Sequence, residues 1–499
     1  MMHDYLQGHA TAAYRFFGAH PDQNGCQFRV YAPKARRVWL ICSHNGWEPI
    51  PMDYDFSGFY ALYAPGATPG DMYKFRIEQA DGRIVDKADP YGVQMELRPK
   101  TASIINRLDE FKFTDAVWMH KRDIGYNIPV NIYELHCGSW RQKPHDPNQE
   151  EDFGWLNYRE LAKELIPYLK ENHFTHVELL PLSEHPFDGS WGYQVSGFYA
   201  VTSRYGTPQD FMAFVDACHA NGIGVILDFV PVHFVTDEFS LIRFDGTPLY
   251  EYEEQDIAYS QWGSCNFDYY KPTVRSFLIS AACFWLEHYH VDGLRMDAIS
   301  NVLYWQGDMS RGINIGGVQF LKELNYQIKQ RFPNVMLIAE DSTNFLKVTA
   351  PVHYDGLGFD YKWDLGWMHD TLDYLATPFG ERSAMTNRFL FSMSYFYQNN
   401  HLLPLSHDEV VHGKKTIIDK LWGNYEQKFA QLRCLYLYLF FHPGKKLSFM
   451  GNELAEFLEW SEQREPGWNL FPYTTLFRSK LSCSSKVSSI SAKAPQAIS

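Results

Sequence analysis

The spacing of apolar residues divides the chain into two regions that meet near residue 126. Between residues 14 and 105, short apolar runs alternate with polar positions and end at turns such as Asn-Gly and Pro-Gly; residues 26–31 and 71–77 are examples. A period of two is typical of strands with one buried face. We therefore predict a small β-sandwich over residues 14–105, preceded by an N-terminal extension of residues 1–13.

From residue 126 onward, apolar runs of strand length alternate with amphipathic segments of helical length. The expected strands are 130–134, 176–180, 224–228, 293–297, 335–339 and 447–451, and the expected helices are 161–171, 211–220, 274–289 and 319–331. This repeated alternation predicts an α/β fold with a parallel sheet, and the number of repeats favours a (β/α)8 TIM barrel over residues 126–471. The long segment 236–266, after the third strand, is expected to be functional.

The last part of the chain, residues 472–499, does not continue this alternation. It is rich in Ser and Lys and has no usable period, which predicts a disordered tail.

Composition narrows the classes of function. The formal net charge of -14 argues against nucleic acid or an anionic membrane as the partner. The aromatic content of 16% fits a protein that stacks rings on sugars, although a large aromatic core would give the same composition. The eight cysteines show neither a C-x-x-C pair nor metal-ligand spacing, which indicates reduced thiols. Because neither a secretory segment nor a membrane-spanning run is evident, we expect a cytoplasmic protein.

Three acids follow apolar runs at places where strands would deliver them to loops: Asp297, Glu340 and Asp408. In a barrel, such strand ends converge on one face. Retaining glycosidic chemistry requires two carboxyl groups about 5–5.5 Å apart, one as nucleophile and one as general acid. We predict that Asp297 is the nucleophile, that Glu340 is the acid, and that Asp408 binds sugar hydroxyls.

Neighbouring charges would tune the first two acids. Arg295 lies two residues before Asp297 and faces the same side of the strand, where it would keep the carboxylate ionised. Taken alone, an Arg-x-Asp sequence is more often a structural ion pair. Asp341 would raise the pKa of Glu340 by charge repulsion and favour its acid form. The alternative is a strand-end glutamate that faces solvent.

Further candidates for sugar binding are His407 beside Asp408, His233 in the segment 228–233, and Tyr193, which would stack under the sugar ring. Each histidine, considered alone, is more often a core or loop residue. No spacing matches a zinc or EF-hand site, and no glycine-rich phosphate loop is present, so we expect neither a metal nor a cofactor.

Four short segments taken together resemble the alpha-amylase superfamily of glycoside hydrolases and transglycosylases: 228–233, 293–297, 338–340 and 406–408. They occur in the order of that superfamily and at strand–helix spacing. Over about residues 14–470, the chain more closely resembles the glycogen (1,4-alpha-glucan) branching enzymes. The segments that carry this closer likeness are 133–140, 178–194, 203–208, 361–370 and 405–413.

The resemblance implies a transglycosylase that works by a retaining double displacement. Asp297 would attack an α-1,4 bond of a glucan while Glu340 protonates the departing chain. Glu340 would then deprotonate the 6-hydroxyl of an acceptor, which creates an α-1,6 branch in glycogen. The resemblance also implies that the sandwich is a carbohydrate-binding module, that the partner is an α-1,4-glucan, and that no cofactor takes part. We expect a monomer.

The resemblance implies supporting roles for the other candidates. Asp228 would support Arg295 structurally. The residues that would position the donor sugar are Tyr193, His233, Arg295, His407 and Asp408.

The chain departs from the family pattern in two places. The family carries a further all-β domain after the barrel, and we expect this chain to lack that domain and the final barrel helix, as in a truncated or misjoined reading frame. Without that helix, apolar surface on the eighth strand would be exposed. The stretch 306–318 is also shorter than its counterpart in the family.

Two other interpretations stay open. An amylase or debranching enzyme would pass the covalent intermediate to water, and only the branching-type segments, chiefly 184–188 and 408–412, argue against it. From a different class, a glucan-binding protein with little activity would fit a chain that lacks its C-terminal domain.

Overall fold

The computed structural model describes residues 1–145 and 153–468. The tail predicted over 472–499 and the helix expected after Phe471 lie outside the described residues. Among the helices of the described part, none is long and apolar enough to cross a membrane.

Two antiparallel sheets form the β-sandwich predicted near the N-terminus. The first has the order Gly18–Pro21, Gly25–Tyr31, Phe59–Pro65, Asp53–Tyr54, and the second has the order Ile50–Pro51, Arg37–Cys42, Met72–Glu78, Ile84–Lys87, with Ser103–Ile104 paired to Met72–Glu78. Alternate side chains on the central strands are buried, such as Phe28, Val30, Phe75 and Ile77. The period of two therefore marks the buried faces, as the sequence predicts.

The first fifteen residues connect the sandwich to the barrel. Helix Met2–Gln7 places the Tyr5 ring 4.7 Å from Phe17 on the sandwich side. On the other side, the hydroxyl groups of Ser276 and Ser280 donate to the backbone carbonyls of Tyr5 and Ala10, at 3.0 and 2.9 Å.

Eight parallel strands close into a barrel. They are β1 (Asn131–Leu135), β2 (His176–Leu179), β3 (Gly224–Phe229), β4 (Gly293–Met296), β5 (Met336–Ala339), β6 (Tyr361–Trp363), β7 (His401–Leu405) and β8 (Lys445–Phe449). The ring closes because β1 pairs with both β2 and β8. Leu447 and Phe449 on β8 are fully buried, so the expected exposure of apolar surface on this strand is wrong. Leu447 joins the barrel interior, and the Phe449 ring lies 5.1 Å from Trp460.

Within residues 1–145 and 153–468, six longer helices accompany the strands: α1 (Tyr158–Glu171), α2 (Pro208–Ala220), α3 (Pro272–His288), α4 (Ile315–Arg331), α5 (Leu365–Ala376) and α6 (Tyr425–Phe441). Capping boxes begin α1, α2 and α6, where Asn157, Thr207 and Asn424 accept hydrogen bonds from the backbone N–H three residues later. Shorter helices occur at Ala116–Lys121, Cys137–Trp140, Gln255–Ala258, Ser300–Leu303, Thr386–Phe389 and Ile417–Lys420.

Apolar side chains fill the barrel interior and form a floor below the strand ends. This group is Val130, Ile132, Ile226, Met336, Ile338, Tyr361, Trp363, Leu402 and Leu447. The loops above the floor carry two short hairpins, Ser183–Glu184 with Gly197–Val201 and His233–Phe234 with Cys265–Asn266. The polar residues that follow the strands therefore face a space bounded by loops, at the carboxyl ends where barrel enzymes place their sites.

Candidate active site

Asp297 and Glu340 come together because of the pairing register of β4 and β5. Met296 lies opposite Ala339, so the two acids are the next residues after the ends of neighbouring parallel strands. The backbone N–H of Ala298 donates to Glu340 Oε2 at 2.5 Å, which fixes this carboxyl group beside the turn that follows Asp297. Local pairing thus places two carboxyl groups side by side at one mouth of the barrel.

Arg295 joins these two acids to a third one below them. Its Nη1 donates to Asp297 Oδ1 at 2.9 Å and to Asp228 Oδ2 at 2.5 Å, and its Nη2 lies 3.7 Å from Glu340 Oε2. Asp228 is opposite Arg295 in the register of β3 and β4. The guanidinium centre lies 4.4 Å from the ring centroid of Trp363, at the top of the apolar floor. One buried cation therefore holds all three carboxylates.

Burial controls the protonation of both catalytic candidates. It raises the pKa of Asp297 well above its usual range, and the carboxylates of Asp228, Glu340 and Asp408 add to this effect, whereas Arg295 opposes it. Burial likewise raises the pKa of Glu340; Arg295 and the Ala298 N–H oppose the shift and Asp408 adds to it. Both acids thus depend on Arg295 for the stability of their ionised forms.

The pKa of Glu340 is raised, as expected, but burial and Asp408 raise it and Asp341 is not among the main causes. Asp341 is buried and lies 2.8 Å from Lys362 Nζ, so its charge is compensated by a partner on β6. Sequence proximity suggested repulsion between Glu340 and Asp341, but the partner that removes it comes from a strand that the sequence pattern did not predict.

Glu134 on β1 is a residue that the sequence prediction missed. Its two carboxylate oxygens accept hydrogen bonds from His407, from the ring Nδ1 at 2.6 Å and from the backbone N–H at 3.0 Å. Burial lowers the pKa of His407, but Glu134 and Asp408 outweigh it and raise that pKa to about 9. The ring is therefore a cation at neutral pH, and its Nε2 lies 3.2 Å from the hydroxyl oxygen of Tyr193.

An open cavity of about 840 Å³ lies above these residues. The predicted site residues that line it are Tyr193, His233, Asp297, Glu340, His407 and Asp408. The remaining two, Asp228 and Arg295, lie directly beneath, within hydrogen-bond distance of lining residues. The structure thus brings together all eight residues that were selected from the sequence.

Two lining residues offer polar groups to a bound molecule. The side chain of Asp408 is 53% exposed and points into the cavity mouth. His233 is buried, which lowers its pKa to about 4 and keeps the ring neutral. Within the described part of the chain, His233 Nδ1 has no hydrogen-bond partner.

Other lining residues were not predicted as site residues. Trp191 stacks on His412 with a centroid distance of 5.1 Å, and both residues have left-handed backbone conformations, with φ of 55° and 57°. Trp262 comes from the long segment after β3, and its ring lies 5.2 Å from His233. The segment 236–266 was expected to be functional, and the sequence analysis did not single out Trp262 within it.

Comparison with known proteins shows the family to which this chain belongs. The model of carbohydrate-binding module 48 (isoamylase N-terminal domain) matches residues 16–92, and that of the alpha amylase catalytic domain matches residues 162–262. The 1,4-alpha-glucan branching enzyme GlgB of Bacillus caldolyticus is 50% identical, over 94% of this chain and 71% of that protein. GlgB of Geobacillus stearothermophilus is 48% identical, over 94% of this chain and 74% of that protein. This chain belongs to the 1,4-alpha-glucan branching enzymes.

Solved structures agree with the fold of this branching enzyme. A pullulanase variant from Paenibacillus barengoltzii, solved with maltotetraose, has a TM-score of 0.74 at 16% identity, covering 96% of this chain and 80% of that one. The family matches and this likeness confirm the predicted TIM barrel preceded by a carbohydrate-binding module, and they confirm the resemblance that the four short segments indicated.

Proposed function

We propose that this branching enzyme cleaves an α-1,4 bond in a linear glucan and transfers the freed oligoglucan to a 6-hydroxyl, which forms an α-1,6 branch. The observation that carries the proposal is the placement of Asp297 and Glu340 at adjacent strand ends, under one cavity and in contact with one guanidinium group. Two carboxyl groups in this relation are what a retaining double displacement requires.

In the first half of the reaction, Asp297 attacks the anomeric carbon of the donor sugar. The glycosidic bond breaks, and its oxygen takes the proton of Glu340 as the reducing-side chain departs. The raised pKa of Glu340 favours the protonated form that this step needs. The non-reducing part of the glucan stays attached to Asp297 as an ester.

In the second half, Glu340 is a carboxylate and acts as a base. It removes the proton from the 6-hydroxyl of an acceptor glucan, whose oxygen attacks the anomeric carbon and releases Asp297. Two inversions give overall retention, so the new linkage is α-1,6. Glu340 ends protonated and Asp297 ends ionised, as at the start.

Arg295 is a positioning residue for the nucleophile. Its contact with Asp297 favours the carboxylate that attacks, and its contact with Asp228 fixes the guanidinium plane. Below it, the Trp363 ring supports the cation where water is excluded.

Four further residues would bind the donor sugar. The hydroxyl of Tyr193 donates to Asp228 Oδ2 at 2.6 Å, which holds its ring in the cavity wall as a surface for stacking. Asp408 would accept hydrogen bonds from two sugar hydroxyls, and the charged His407 would donate one. The neutral ring of His233 lines the cavity and would pair with a hydroxyl. Such contacts strengthen as the ring distorts towards the transition state.

The same proposal assigns the division of the chain. Residues 14–105 would serve as the carbohydrate-binding module and residues 126–471 as the catalytic barrel, with 1–13 as an extension that joins them. We also place the enzyme in the cytoplasm, where a branching enzyme meets its glucan, and propose that it acts as a monomer without a cofactor.

Incubation with amylose tests the proposal. Branching shortens the free linear runs, so the iodine colour falls while the number of reducing ends stays constant. A loss of colour accompanied by an equal rise in reducing ends would mean that water accepts the intermediate, as in an amylase or debranching enzyme. Glucan binding with no change in either signal would mean a binding protein.

A further inference from the structure

Exposed aromatic rings extend the cavity wall beyond the reacting acids. Tyr259, Trp262 and Tyr270 are 45%, 43% and 51% exposed, and Trp305 beside them is half-buried. We call these four residues the aromatic rim. None of them takes part in the chemistry derived above, and the first three belong to the long segment after β3 or to the residues that directly follow it.

The aromatic rim is continuous with the cavity through Gln306. Gln306 and Trp262 both line the cavity. The side-chain amide of Gln306 donates to the backbone carbonyls of Asp256 and Tyr259, both at 2.9 Å. Trp305 precedes Gln306, so the loop after β4 and the segment after β3 form one wall that runs from the reaction centre to the surface.

Two rings of the rim, Trp305 and Tyr270, are packed before any ligand arrives. Trp305 and Tyr270 lie parallel, at 9° and 6.3 Å between centroids. Tyr252 packs edge-on against Trp305 at 5.7 Å, and its hydroxyl accepts a hydrogen bond from Asn314 at 3.1 Å. Tyr252 is buried, so the packing of its ring against Trp305 restricts the Trp305 side chain. Little side-chain conformational entropy is therefore lost when Trp305 binds a flat surface.

The charges around the rim select the class of ligand. Exposed acids surround it, namely Glu253, Glu254, Asp256 and Asp308, and Arg311 is paired with Asp256 at 3.1 Å. An anionic partner such as nucleic acid would be repelled. Flat apolar rings bordered by acceptors suit an uncharged polymer whose apolar sugar faces stack while its hydroxyl groups donate.

We propose that the aromatic rim binds a linear α-1,4-glucan segment that continues out of the cavity, and that it makes the enzyme prefer long chains. This inference rests on the proposed function for the identity of the polymer. The rim acts on binding alone, since it lies outside the group of acids that break and form bonds.

Kinetics on linear glucans of graded length test the inference. Trp305→Ala should raise KM for the longest chains by about threefold to tenfold, the effect of one lost stacking contact, with kcat changed little. The increase should fade as the donor becomes too short to reach the rim. Tyr259→Ala should behave in the same way, and Trp305→Phe, which keeps a ring, should restore most of the affinity.

Two controls separate binding from misfolding. Tyr397→Ala removes a 90% exposed ring that precedes β7 and so lies at the opposite end of the barrel. It should leave KM unchanged at every length. Thermal unfolding and the rate on the shortest donor should match the wild type for each rim variant.

Three outcomes would overturn the inference. In the first, KM is unchanged at all chain lengths in both rim variants. In the second, KM rises equally at all chain lengths. In the third, the variants change only the oligomeric state, which would mean that the rim contacts a second copy of the chain. The proposed function fails in a different way. In that case the wild-type protein would release reducing ends from amylose. The dependence of KM on chain length would still test whether the rim binds the glucan.

Discussion

Arg295 lies on β4 and Asp297 directly follows that strand, and Nη1 of the arginine donates to Oδ1 of the aspartate at 2.9 Å. The same nitrogen donates to Asp228 at 2.5 Å. Because burial raises the pKa of Asp297, this guanidinium is the group that favours the ionised form of the proposed nucleophile. Under the proposed mechanism, charge compensation below the cavity therefore serves the reaction as well as the fold.

Replacing Arg295 with Met should disable the enzyme and destabilise it. The side chain is 1% exposed, and its loss leaves Asp228 and Asp297 buried without a cation. Breaking a buried pair on one side lowers the free energy of unfolding by about 3–5 kcal/mol. Denaturant unfolding measures this. Arg388→Met is the matched control: Arg388 is 49% exposed and pairs with Asp370 and Asp373, so the loss should be below about 1 kcal/mol. Equal losses in the two variants would contradict the account.

Replacing Glu340 with Gln should affect donors according to their leaving groups. Loss of the general acid should slow amylose branching by roughly a hundredfold to ten-thousandfold. The formation of the covalent intermediate from α-maltosyl fluoride should be far less affected, because fluoride departs without a proton. Single-turnover fluoride release measures that step. An equal decrease with both donors would show that Glu340 does not act as the acid.

Loss of the charge on His407 should lower activity at alkaline pH, in addition to any loss that follows deprotonation of Glu340. The His407 pKa of about 9 predicts that kcat/KM falls as the pH rises through this value and the ring loses its proton. Glu134→Gln removes the paired charge and should move the alkaline limb of the pH profile down by about 1–3 units.

Glu178→Gln provides the matched control for that pH profile. Glu178 lies opposite Glu134 in the register of β1 and β2, and burial raises its pKa well above its usual range, which disfavours its charged form. The alkaline limb should stay in place in this variant. If Glu134→Gln also leaves the limb unchanged, the imidazolium is not required.

His219 should make the fold less stable at alkaline pH. Its Nδ1 lies 2.8 Å from Asp115 and its Nε2 lies 2.9 Å from Asp292. Burial opposes the charge, but the two carboxylates raise the pKa of His219 from 6.5 to about 9. The resulting stabilisation, about 3 kcal/mol, is complete below the unfolded-state pKa and is lost as the pH rises through the folded-state value.

Urea unfolding from about pH 6 to about pH 10 measures the contribution of His219. The wild type should lose stability across this window, and His219→Gln should lack that part of the pH dependence. The same slope in both proteins would show that the imidazole is not held as a cation.

The sequence predicted most of the barrel because long apolar runs stand out. The strands at β1 to β5 and at β8 were found from such runs. The pattern missed β6, which has only three residues, and it indicated a strand before Asp408 without giving the bounds of β7, which contains Pro404 and follows irregular turns. Runs this short or interrupted carry too little periodicity to be distinguished from loops.

The candidate site shows the same limit. Asp297 and Glu340 were found because each directly follows a clear strand, and neighbouring strands in register bring them together. Glu134 was missed because an acid inside a strand looks like a solvent-facing position until its partner His407 is known. The pairing of Asp341 with Lys362 could not be foreseen, since it depends on β6. Contacts between distant segments, unlike strand ends, leave no local signal.

Capture of the intermediate tests the central claim most directly. Glu340→Gln protein incubated with α-maltosyl fluoride should form the ester and then hold it, because the base that activates the acceptor is absent. Mass spectrometry of the digested protein should find a maltosyl group on the peptide that contains Asp297, and adding Asp297→Asn to this protein should abolish the adduct. A maltosyl group on another carboxylate, such as Asp408, or turnover without any adduct in either protein, would contradict the account.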